Sequence, residues 1–346
     1  MPSSLTSCAD AETCVSTGSR RPKPATREKY DLLRRFVQAY WLRPENALWM
    51  TLRSITLSAH ALERPSIDIS CGDGVFSFLH AGGAFDPAFD VFTSVARLDR
   101  RQSETGDMFD HLRDDYRPPI ISRPGESIDV GTDCKPTMLA KADRLRFYDR
   151  LVEHDNNEPL PFADGTFQTV YCNAAYWVTN IDGFLLEMRR ITRPGGRIIL
   201  QVKLDSMRRY TLEPCEAALG RRFLDIIGRG RLDCWPTLAD AATWETRFAG
   251  AGLSVENAIP FVTATHAHLW DIGLRPIAPM LVRMANALSP ATRAAIKTEW
   301  VDLFCELLEP LCDPSLDLLP ARDEPAEIQY VLALVSGYKS NSSNWL

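Results

Sequence analysis

The pattern of apolar and polar residues changes near residue 65. From there to about residue 335, short apolar segments alternate with longer segments whose apolar residues recur at helical spacing. The short segments have the length of single β-strands, and the longer ones are long enough for crossover helices. Alternation of this kind is typical of a parallel sheet with helices on both faces. We therefore predict an α/β fold with a doubly wound, mostly parallel sheet of seven strands.

These segments place the predicted elements along the chain. Strands are predicted near 66–70, 127–132, 150–154, 168–172, 196–202, 254–262 and 327–335. Helices are predicted near 75–81, 136–147, 182–192 and 237–251. A turn is predicted at Arg193-Pro194-Gly195-Gly196, before the fifth strand, because proline and glycine both interrupt regular elements.

The chain before the sheet has a different character. Residues 1–26 are rich in Ser, Thr, Arg and Pro and show no apolar period, which predicts a disordered tail. In 27–64 the apolar residues recur at helical spacing, and Pro44 separates two helices. The remainder, 65–346, is predicted to be one domain.

Three stretches of that domain exceed what the alternation requires, and we interpret them as inserts. They lie at about 82–126, 205–236 and 266–325. The third contains a long amphipathic pattern, which predicts helices. Together with the two helices of 27–64, the inserts are predicted to form a helical cap over the sheet.

Composition narrows the classes of function and partner. The net charge is −6, whereas a domain that binds nucleic acid normally carries a basic excess, so no nucleic-acid partner is expected. No apolar run approaches the roughly 18 residues of a membrane span. The nine cysteines include no Cys-x-x-Cys pair, so neither a disulfide framework nor a metal site is expected. We predict a cytoplasmic protein, and a homodimer stays open.

The sharpest motif is the run from Ile67 to Gly74, Ile-Asp-Ile-Ser-Cys-Gly-Asp-Gly, at the end of the first predicted strand. Small residues that lead directly into a helix let a ligand lie against the backbone. An ordinary strand-to-helix turn fits the same pattern when it is taken alone. A dinucleotide site is disfavoured because the third glycine of G-x-G-x-x-G is missing.

Polar residues follow the next two predicted strands. Asp133 ends the second strand, where a carboxylate can accept both hydroxyls of a ribose. Glu126 and Asp129 are alternatives for this role, but Asp133 is the one at the end of the strand. Asp155 and Asn156 follow the third strand, where they can accept from an adenine amino group.

In this order the segments resemble the class I methyltransferases, whose first motif is an acid-x-Gly-x-Gly-x-Gly loop. The resemblance covers about 66–74, 128–203 and 238–262, and it implies a Rossmann-like fold that binds S-adenosyl-L-methionine. It implies methionine-binding roles for Asp68, Gly72 and Gly74, a ribose role for Asp133, adenine roles for Asp155 and Asn156, and further cofactor contacts for Ser70, Cys134 and Asn173. Ser70 departs from the motif, because it stands where the family has its first glycine.

The acceptor is expected beyond the carboxyl ends of the strands, where ligands bind in open parallel sheets. Residues after the later strands include Tyr176, Lys203 and Trp270. As catalytic residues we predict His266, His268 and Tyr176, because histidine titrates close to neutral pH and serves as a general base. Solvated histidines in a loop fit the same positions, so this assignment stays open.

The sequence thus predicts methyl transfer from S-adenosyl-L-methionine to a small molecule in specialised metabolism. The run Asn173-Ala174-Ala175-Tyr176 lacks the paired prolines of nucleic-acid amino-methyltransferases. Two alternatives remain. One is an enzyme of the same fold that binds this cofactor but catalyses a cyclisation or decarboxylation. The other is an isoprenoid or lipid C-methyltransferase.

Overall fold

The computed structural model describes residues 26–95, 108–228, 231–318 and 324–337. Within these residues seven strands form one sheet, and two short strands form a separate antiparallel ribbon. The strands are β1 (Ser66–Ile69), β2 (Ala84–Phe85), β3 (Ile120–Ser122), β4 (Ile128–Asp133), β5 (Tyr148–Glu153), β6 (Phe167–Cys172), β7 (Thr192–Lys203), β8 (Leu253–Val262) and β9 (Glu327–Leu334). Apart from Thr26, the predicted tail over 1–26 lies outside the described residues.

The seven strands lie in the order β5-β4-β1-β6-β7-β9-β8. Neighbours are parallel except at β9, which runs antiparallel to β7 and β8. In the centre, Ile67 of β1 pairs with Val130 of β4 on one side and with Val170 of β6 on the other. All four residues of β1 are buried, because helices cover both faces of the sheet. The predicted doubly wound, mostly parallel Rossmann-like sheet is confirmed.

Helices occupy the segments between the strands. They are α1 (Arg27–Ala39), α2 (Pro44–Leu57), α3 (Val75–His80), α4 (Pro136–Leu145), α5 (Ile181–Ile191), α6 (Ser206–Arg209), α7 (Glu216–Leu219), α8 (Arg221–Gly228), α9 (Ala241–Gly250), α10 (Ala264–Ile272), α11 (Ala278–Asn286) and α12 (Pro290–Leu308). None of the helices in the described ranges is both long and apolar enough to span a membrane.

Two predicted boundaries differ from the structure for local reasons. The helix predicted from residue 237 begins at Ala241, because the Asp240 side chain accepts a hydrogen bond from the Thr243 amide (2.7 Å) and caps it. The turn predicted before the fifth strand lies inside β7 instead. There the register with β6 shifts, and Gly195 takes a positive φ of 78°.

The sheet separates two hydrophobic clusters. Ile199 of β7 belongs to a cluster with residues of α1, α2 and α12. Its neighbours Ile198 and Leu200 belong to the other cluster, with residues of α5 and α9. Side chains alternate between the faces of a strand, so odd-numbered residues at the end of β7 face the N-terminal helices. Gln201 follows this pattern, because its side-chain amide donates to the backbone oxygen of Arg53 in α2 (2.9 Å).

The first predicted insert, 82–126, contains the ribbon of β2 and β3. Asp90 anchors this segment. Its fully buried carboxylate accepts from the Trp41 indole (2.8 Å) and from the guanidinium of Arg293 in α12 (2.9 Å). The carboxylate thereby connects the insert both to the segment after α1 and to α12. Part of the insert, residues 96–107, lies outside the described residues.

Candidate active site

The loop between β1 and α3 has a backbone that two glycines make possible. Gly72 and Gly74 have φ values of 59° and 74°, in the left-handed region that glycine favours. A Cβ on Gly72 would meet no atom within 4 Å, so this glycine borders open space. A Cβ on Gly74 would lie 2.9 Å from the Tyr148 ring. Gly74 therefore permits close packing, whereas Gly72 leaves room for a ligand.

Ser70 takes the place of the motif's first glycine without changing the backbone region. Its φ is 61°, which is uncommon for a residue with a side chain. The hydroxyl accepts a hydrogen bond from the side-chain amide of Asn156 (2.8 Å), which follows β5. The departure from the motif thus connects two of the predicted cofactor-binding residues.

Asp133 lies at the carboxyl end of β4, beside this loop. One carboxylate oxygen accepts from the Gly72 amide (3.0 Å) and the other from the Lys135 amide (2.9 Å). A carboxylate has about four lone-pair positions, so Asp133 can accept two further donors. The alternatives lie elsewhere: Asp129 accepts from Arg64 and Ser66 near the start of β4, and Glu126 precedes the strand.

Asp68 of β1 is a buried acid that connects three elements. One of its oxygens accepts from the Ser77 hydroxyl in α3 (2.6 Å) and from the Tyr148 hydroxyl in β5 (2.7 Å). Burial raises the pKa of Asp68 to about 6, although both hydrogen bonds act in the opposite direction. Asp68 therefore holds the loop, its helix and β5 in one arrangement.

The two residues after β5 have different surroundings. Asp155 is exposed and accepts from the Asn157 backbone (3.0 Å) and side-chain amide (2.9 Å), which lower its pKa. The side-chain oxygen of Asn156 is buried, and no described residue donates to it. A buried acceptor of this kind is costly unless a ligand donor satisfies it. Asn156 is therefore the better placed of the two to accept from a bound molecule.

The last two residues predicted to contact the cofactor, Cys134 and Asn173, take no part in these hydrogen bonds. Cys134 is an exposed thiol beside Asp133, and partial burial raises its pKa. Asn173, after β6, is half-buried and donates to the Tyr171 hydroxyl (3.2 Å). The fit to an adenosyl group thus rests on three features: the open space at Gly72, the lone pairs of Asp133 and the unsatisfied oxygen of Asn156.

A second cluster lies at the same edge of the sheet, where β7 ends. Lys203 is the last residue of β7 and is 5% exposed. Its ammonium lies 4.7 Å from the ring centroid of Trp270, 4.9 Å from that of Tyr176 and 5.6 Å from that of Trp49. We refer to these three rings as the aromatic cage. Among the described residues, no hydrogen bond or ion pair involves the Lys203 ammonium.

Arg53 and Glu327 lie next to the aromatic cage as a buried ion pair. The guanidinium of Arg53 contacts both carboxylate oxygens of Glu327 at 3.1 Å and donates to the Tyr176 hydroxyl (3.2 Å). Arg53 and Glu327 balance each other in charge. Lys203 therefore adds one positive charge that neither of them offsets.

The predicted histidines form their hydrogen bonds with residues outside both clusters. His266 is 1% exposed and caps α10: its Nδ1 bonds with the Thr263 hydroxyl (2.9 Å) and its Nε2 with the Leu311 backbone oxygen (3.0 Å). Burial lowers the pKa of His266. His268 bonds through Nδ1 with the Ala264 backbone oxygen (2.9 Å). A catalytic role for either histidine stays a prediction, and the geometry gives His266 a structural role.

Sequence reasoning named Lys203, Tyr176 and Trp270 but missed Trp49, Arg53 and Glu327. Trp49 and Arg53 are one helical turn apart on α2, and Glu327 opens the last strand. The available signal was Arg53, the one charged residue between Asn46 and Leu57. Nothing local to either segment indicates that Arg53 meets Glu327.

Comparison with known proteins identifies part of the chain. Residues 120–200 match a family model described as a methyltransferase domain. Demethylmenaquinone methyltransferases from two strains of Tropheryma whipplei, Twist and TW08/27, are 33% identical to the chain over 84 residues. The match covers 23% of this chain and 34% of each relative, so it spans about a third of the length of these curated relatives.

Two solved structures are similar over most of the chain. One is an S-adenosylmethionine-dependent methyltransferase from Thermotoga maritima, described as a possible histamine N-methyltransferase. It is 11% identical with a TM-score of 0.44, over 88% of this chain and 99% of that one. The other is a putative methyltransferase in complex with the Haloferax volcanii Trm112 activator. It is 14% identical with a TM-score of 0.42, over 90% of this chain and 99% of that one. Similarity of this degree carries no information about a substrate.

Proposed function

We propose that this chain, whose residues 120–200 match a methyltransferase-domain model, is a class I S-adenosylmethionine-dependent methyltransferase that transfers a methyl group to a small molecule. The observation that carries the proposal is the hydrogen bond from the Gly72 amide to Asp133, beside the open space at Gly72. When bound, the cofactor supplies a sulfonium methyl group: the electron pair of an acceptor forms the new bond, and the pair of the broken carbon–sulfur bond stays on sulfur.

In this proposal the residues of the loop bind and orient. Asp133 accepts the ribose hydroxyls with its remaining lone pairs, and Asn156 accepts a donor of the adenine. Asp68 fixes the position of the loop through its hydrogen bonds with Ser77 and Tyr148. Alignment of two bound reactants supplies much of the acceleration of such a displacement, so the chain needs few groups that take part chemically.

The acceptor is proposed to bind beside the aromatic cage. β6 lies between β1 and β7, so the loop after β1 and the ammonium of Lys203 at the end of β7 are at the same edge of the sheet. Ligands of open parallel sheets bind at this edge. Helix α2 contributes Trp49 to the cage, so in this proposal part of the N-terminal helical region covers the acceptor.

Incubation with methyl-labelled S-adenosylmethionine and a panel of small-molecule acceptors tests the reaction. Label should appear in an acceptor. Tight cofactor binding with conversion of an acceptor but without label transfer would favour the alternative, a cyclisation or decarboxylation. A lipid or isoprenoid product would favour the other alternative, and the relatives' name, which specifies demethylmenaquinone as their acceptor, makes that compound a member of the panel.

The cofactor site has its own test. Asp133→Ala should abolish measurable binding of S-adenosylhomocysteine in calorimetry while circular dichroism shows an intact fold. Asp129→Ala is the matched control, because Asp129 lies on the same strand but faces Arg64 at its other end. Equal affinities of Asp133→Ala and the unmodified protein would remove Asp133 from the ribose role. The cytoplasmic location, the specialised pathway and a homodimer stay predictions.

A further inference from the structure

The ammonium of Lys203 has surroundings that the proposed function does not yet explain. The side chain is 5% exposed, and three aromatic rings lie within 4.7 to 5.6 Å of its nitrogen. Aromatic faces attract a cation, but they do not replace the hydrogen-bond acceptors that water would offer its three N–H groups. The N–H groups of this ammonium make no hydrogen bond with the described residues, so an anionic ligand can supply an acceptor that these residues do not.

In the part of the chain that the structure describes, no charged or titratable group forms an ion pair with Lys203. Glu327 is engaged by Arg53, whose guanidinium contacts both of its oxygens. The Tyr176 hydroxyl accepts from Arg53. Burial raises the pKa of the Cys234 thiol, which disfavours a thiolate beside Lys203. The guanidinium of Arg275 lies over the Trp270 ring (5.2 Å).

The cage is assembled from segments that are far apart in the sequence. Trp49 comes from α2, Tyr176 from the loop after β6 and Trp270 from α10. Three aromatic rings around a cation favour a flat ligand that carries negative charge. The ring of such a ligand can stack on the cage while its anionic atom accepts a hydrogen bond from Lys203. A cationic amine would meet repulsion from Lys203.

We propose that the acceptor is a planar conjugated ring with an acidic hydroxyl, such as a phenol, a hydroquinone or an enol, and that it binds as its anion. The oxygen accepts a hydrogen bond from Lys203, and the hydroxyl proton is lost to water on binding. The site then needs no protein general base, in agreement with the structural role of His266. This inference rests on the proposed function, since it specifies the acceptor of that same site.

The probe for this inference is 4-nitrophenol, whose anion has a visible absorption band that the neutral phenol lacks. The probe is titrated with the full chain and S-adenosylhomocysteine, at a pH about one unit below the pKa of the free phenol. The band should grow on binding, with the apparent pKa of the bound probe lowered by about one unit or more, which is at least tenfold in the ionisation constant. 4-Nitroanisole, which has no ionisable hydroxyl, should bind more weakly.

Variants separate a direct role of Lys203 from a structural one. Lys203→Met should remove the lowering of the probe's pKa, and Lys203→Arg should restore part of it because it keeps the positive charge. Lys297→Met is the matched control: Lys297 is also buried but donates to the backbone oxygens of Pro87 (2.7 Å) and Phe89 (2.5 Å), away from the cage. It should leave the probe's pKa unchanged even if the fold is less stable.

Three results would overturn the inference. The first is an unshifted pKa of the probe on the unmodified protein, and the second is the same pKa shift in Lys203→Met. The third is displacement of the probe by benzoate at a lower concentration than by other phenols. The last result would identify a carboxylate ligand instead. If Lys203→Met does not fold, the unmodified protein and Lys203→Arg still decide. Calorimetry with S-adenosylhomocysteine on the same samples distinguishes the two proposals: intact cofactor binding with an unshifted probe refutes only this inference, whereas absent cofactor binding refutes the proposed function.

Discussion

Arg53 of α2 and Glu327 of β9 form a buried ion pair in which one guanidinium nitrogen lies 3.1 Å from both carboxylate oxygens. The exposed fractions of the two side chains are 6% and 0%. Burial by itself lowers the pKa of Arg53, but the charge of Glu327 and the bond to Tyr176 raise it above the ordinary value. The pair connects an N-terminal helix to the last strand at the edge where the acceptor is proposed to bind.

Arg53→Met should destabilise the protein strongly, because it leaves the carboxylate of Glu327 buried without a partner. Breaking one side of a buried ion pair costs about 3–5 kcal/mol. Urea unfolding at neutral pH measures this loss. The Tyr176 hydroxyl also loses its donor in this variant, so some disturbance of the cage is expected as well.

The double variant Arg53→Met with Glu327→Leu is the control. Replacing both partners by apolar side chains removes the unpaired charge, so most of the stability should return. A double variant as unstable as Arg53→Met alone would show that packing at these positions, and not the charge of Glu327, determines the loss.

Much of the fold was predictable because its signals are local. The strand that contains Ile198, Ile199 and Leu200 is a continuous apolar run, as burial on both faces requires, and Ile67 and Ile69 mark the first strand. The antiparallel direction of β9 was not predicted, because direction depends on which neighbour a strand meets. How the first insert is held in place was also unpredictable. The sequence does not distinguish Asp90 from a surface acid, and only the structure shows that Trp41 and Arg293 donate hydrogen bonds to it.

The candidate site also has some features that could be predicted from the sequence and others that could not. The positions of Gly72 and Asp133 at the carboxyl ends of the first two sequence-predicted strands could be predicted, because both follow a known order along the chain. The surroundings of Lys203 were not predictable, since Trp49 belongs to a helix before the first strand and Trp270 to a helix between β8 and β9. The structural role of His266 could not be predicted either, because a capping residue can be recognised only when the first residue of α10 is known.

Asp68→Asn should raise the stability of the protein at neutral pH. The pKa of Asp68 is raised to about 6 by burial, whereas a carboxyl of an unfolded chain titrates near pH 4. Between those values the unfolded chain loses the proton and the folded chain keeps it, so stability falls as pH rises and stays lower above pH 6. A shift of about two units corresponds to roughly 2–3 kcal/mol, which the variant should recover.

Urea unfolding of Asp68→Asn across a pH series measures this gain, which should vanish as the pH falls to about 4. Asp155→Asn is the control, because hydrogen bonds from Asn157 lower the pKa of that exposed carboxylate and no gain is expected. A gain for Asp68→Asn that does not change with pH would refute desolvation of the carboxylate as its cause. Calorimetry should also show weaker binding of S-adenosylhomocysteine to Asp68→Asn.

Gly72→Ala should weaken cofactor binding more than it weakens the fold. The new Cβ meets no protein atom within 4 Å, so it projects into the space proposed for the cofactor. A side chain in the left-handed region costs about 1–2 kcal/mol of stability. Calorimetry should show an affinity for S-adenosylhomocysteine at least about tenfold lower, a loss of about 1.4 kcal/mol.

Gly195→Ala is the matched control for Gly72→Ala. Gly195 has a φ of 78° and equally open surroundings, but it lies in the bulge near the start of β7. The stability of the Gly195→Ala variant should fall by an amount similar to that of Gly72→Ala, while the affinity of Gly195→Ala for the cofactor stays unchanged. Equal affinities of the two variants would mean that the space beside Gly72 does not receive the cofactor.

His266→Ala should behave as the loss of a helix cap and not as the loss of a general base. The variant loses the bonds to Thr263 and Leu311, and removal of a cap costs about 0.5–2 kcal/mol. Because burial lowers the pKa of His266, its contribution to stability is complete above about pH 6.5 and is lost as the pH falls and the unfolded chain takes up a proton. Unfolding of His266→Ala should therefore depend less on pH than unfolding of the unmodified protein. Methyl transfer measured where both proteins are folded should have a similar rate constant, and a large fall in that rate with an intact fold would instead make His266 the base.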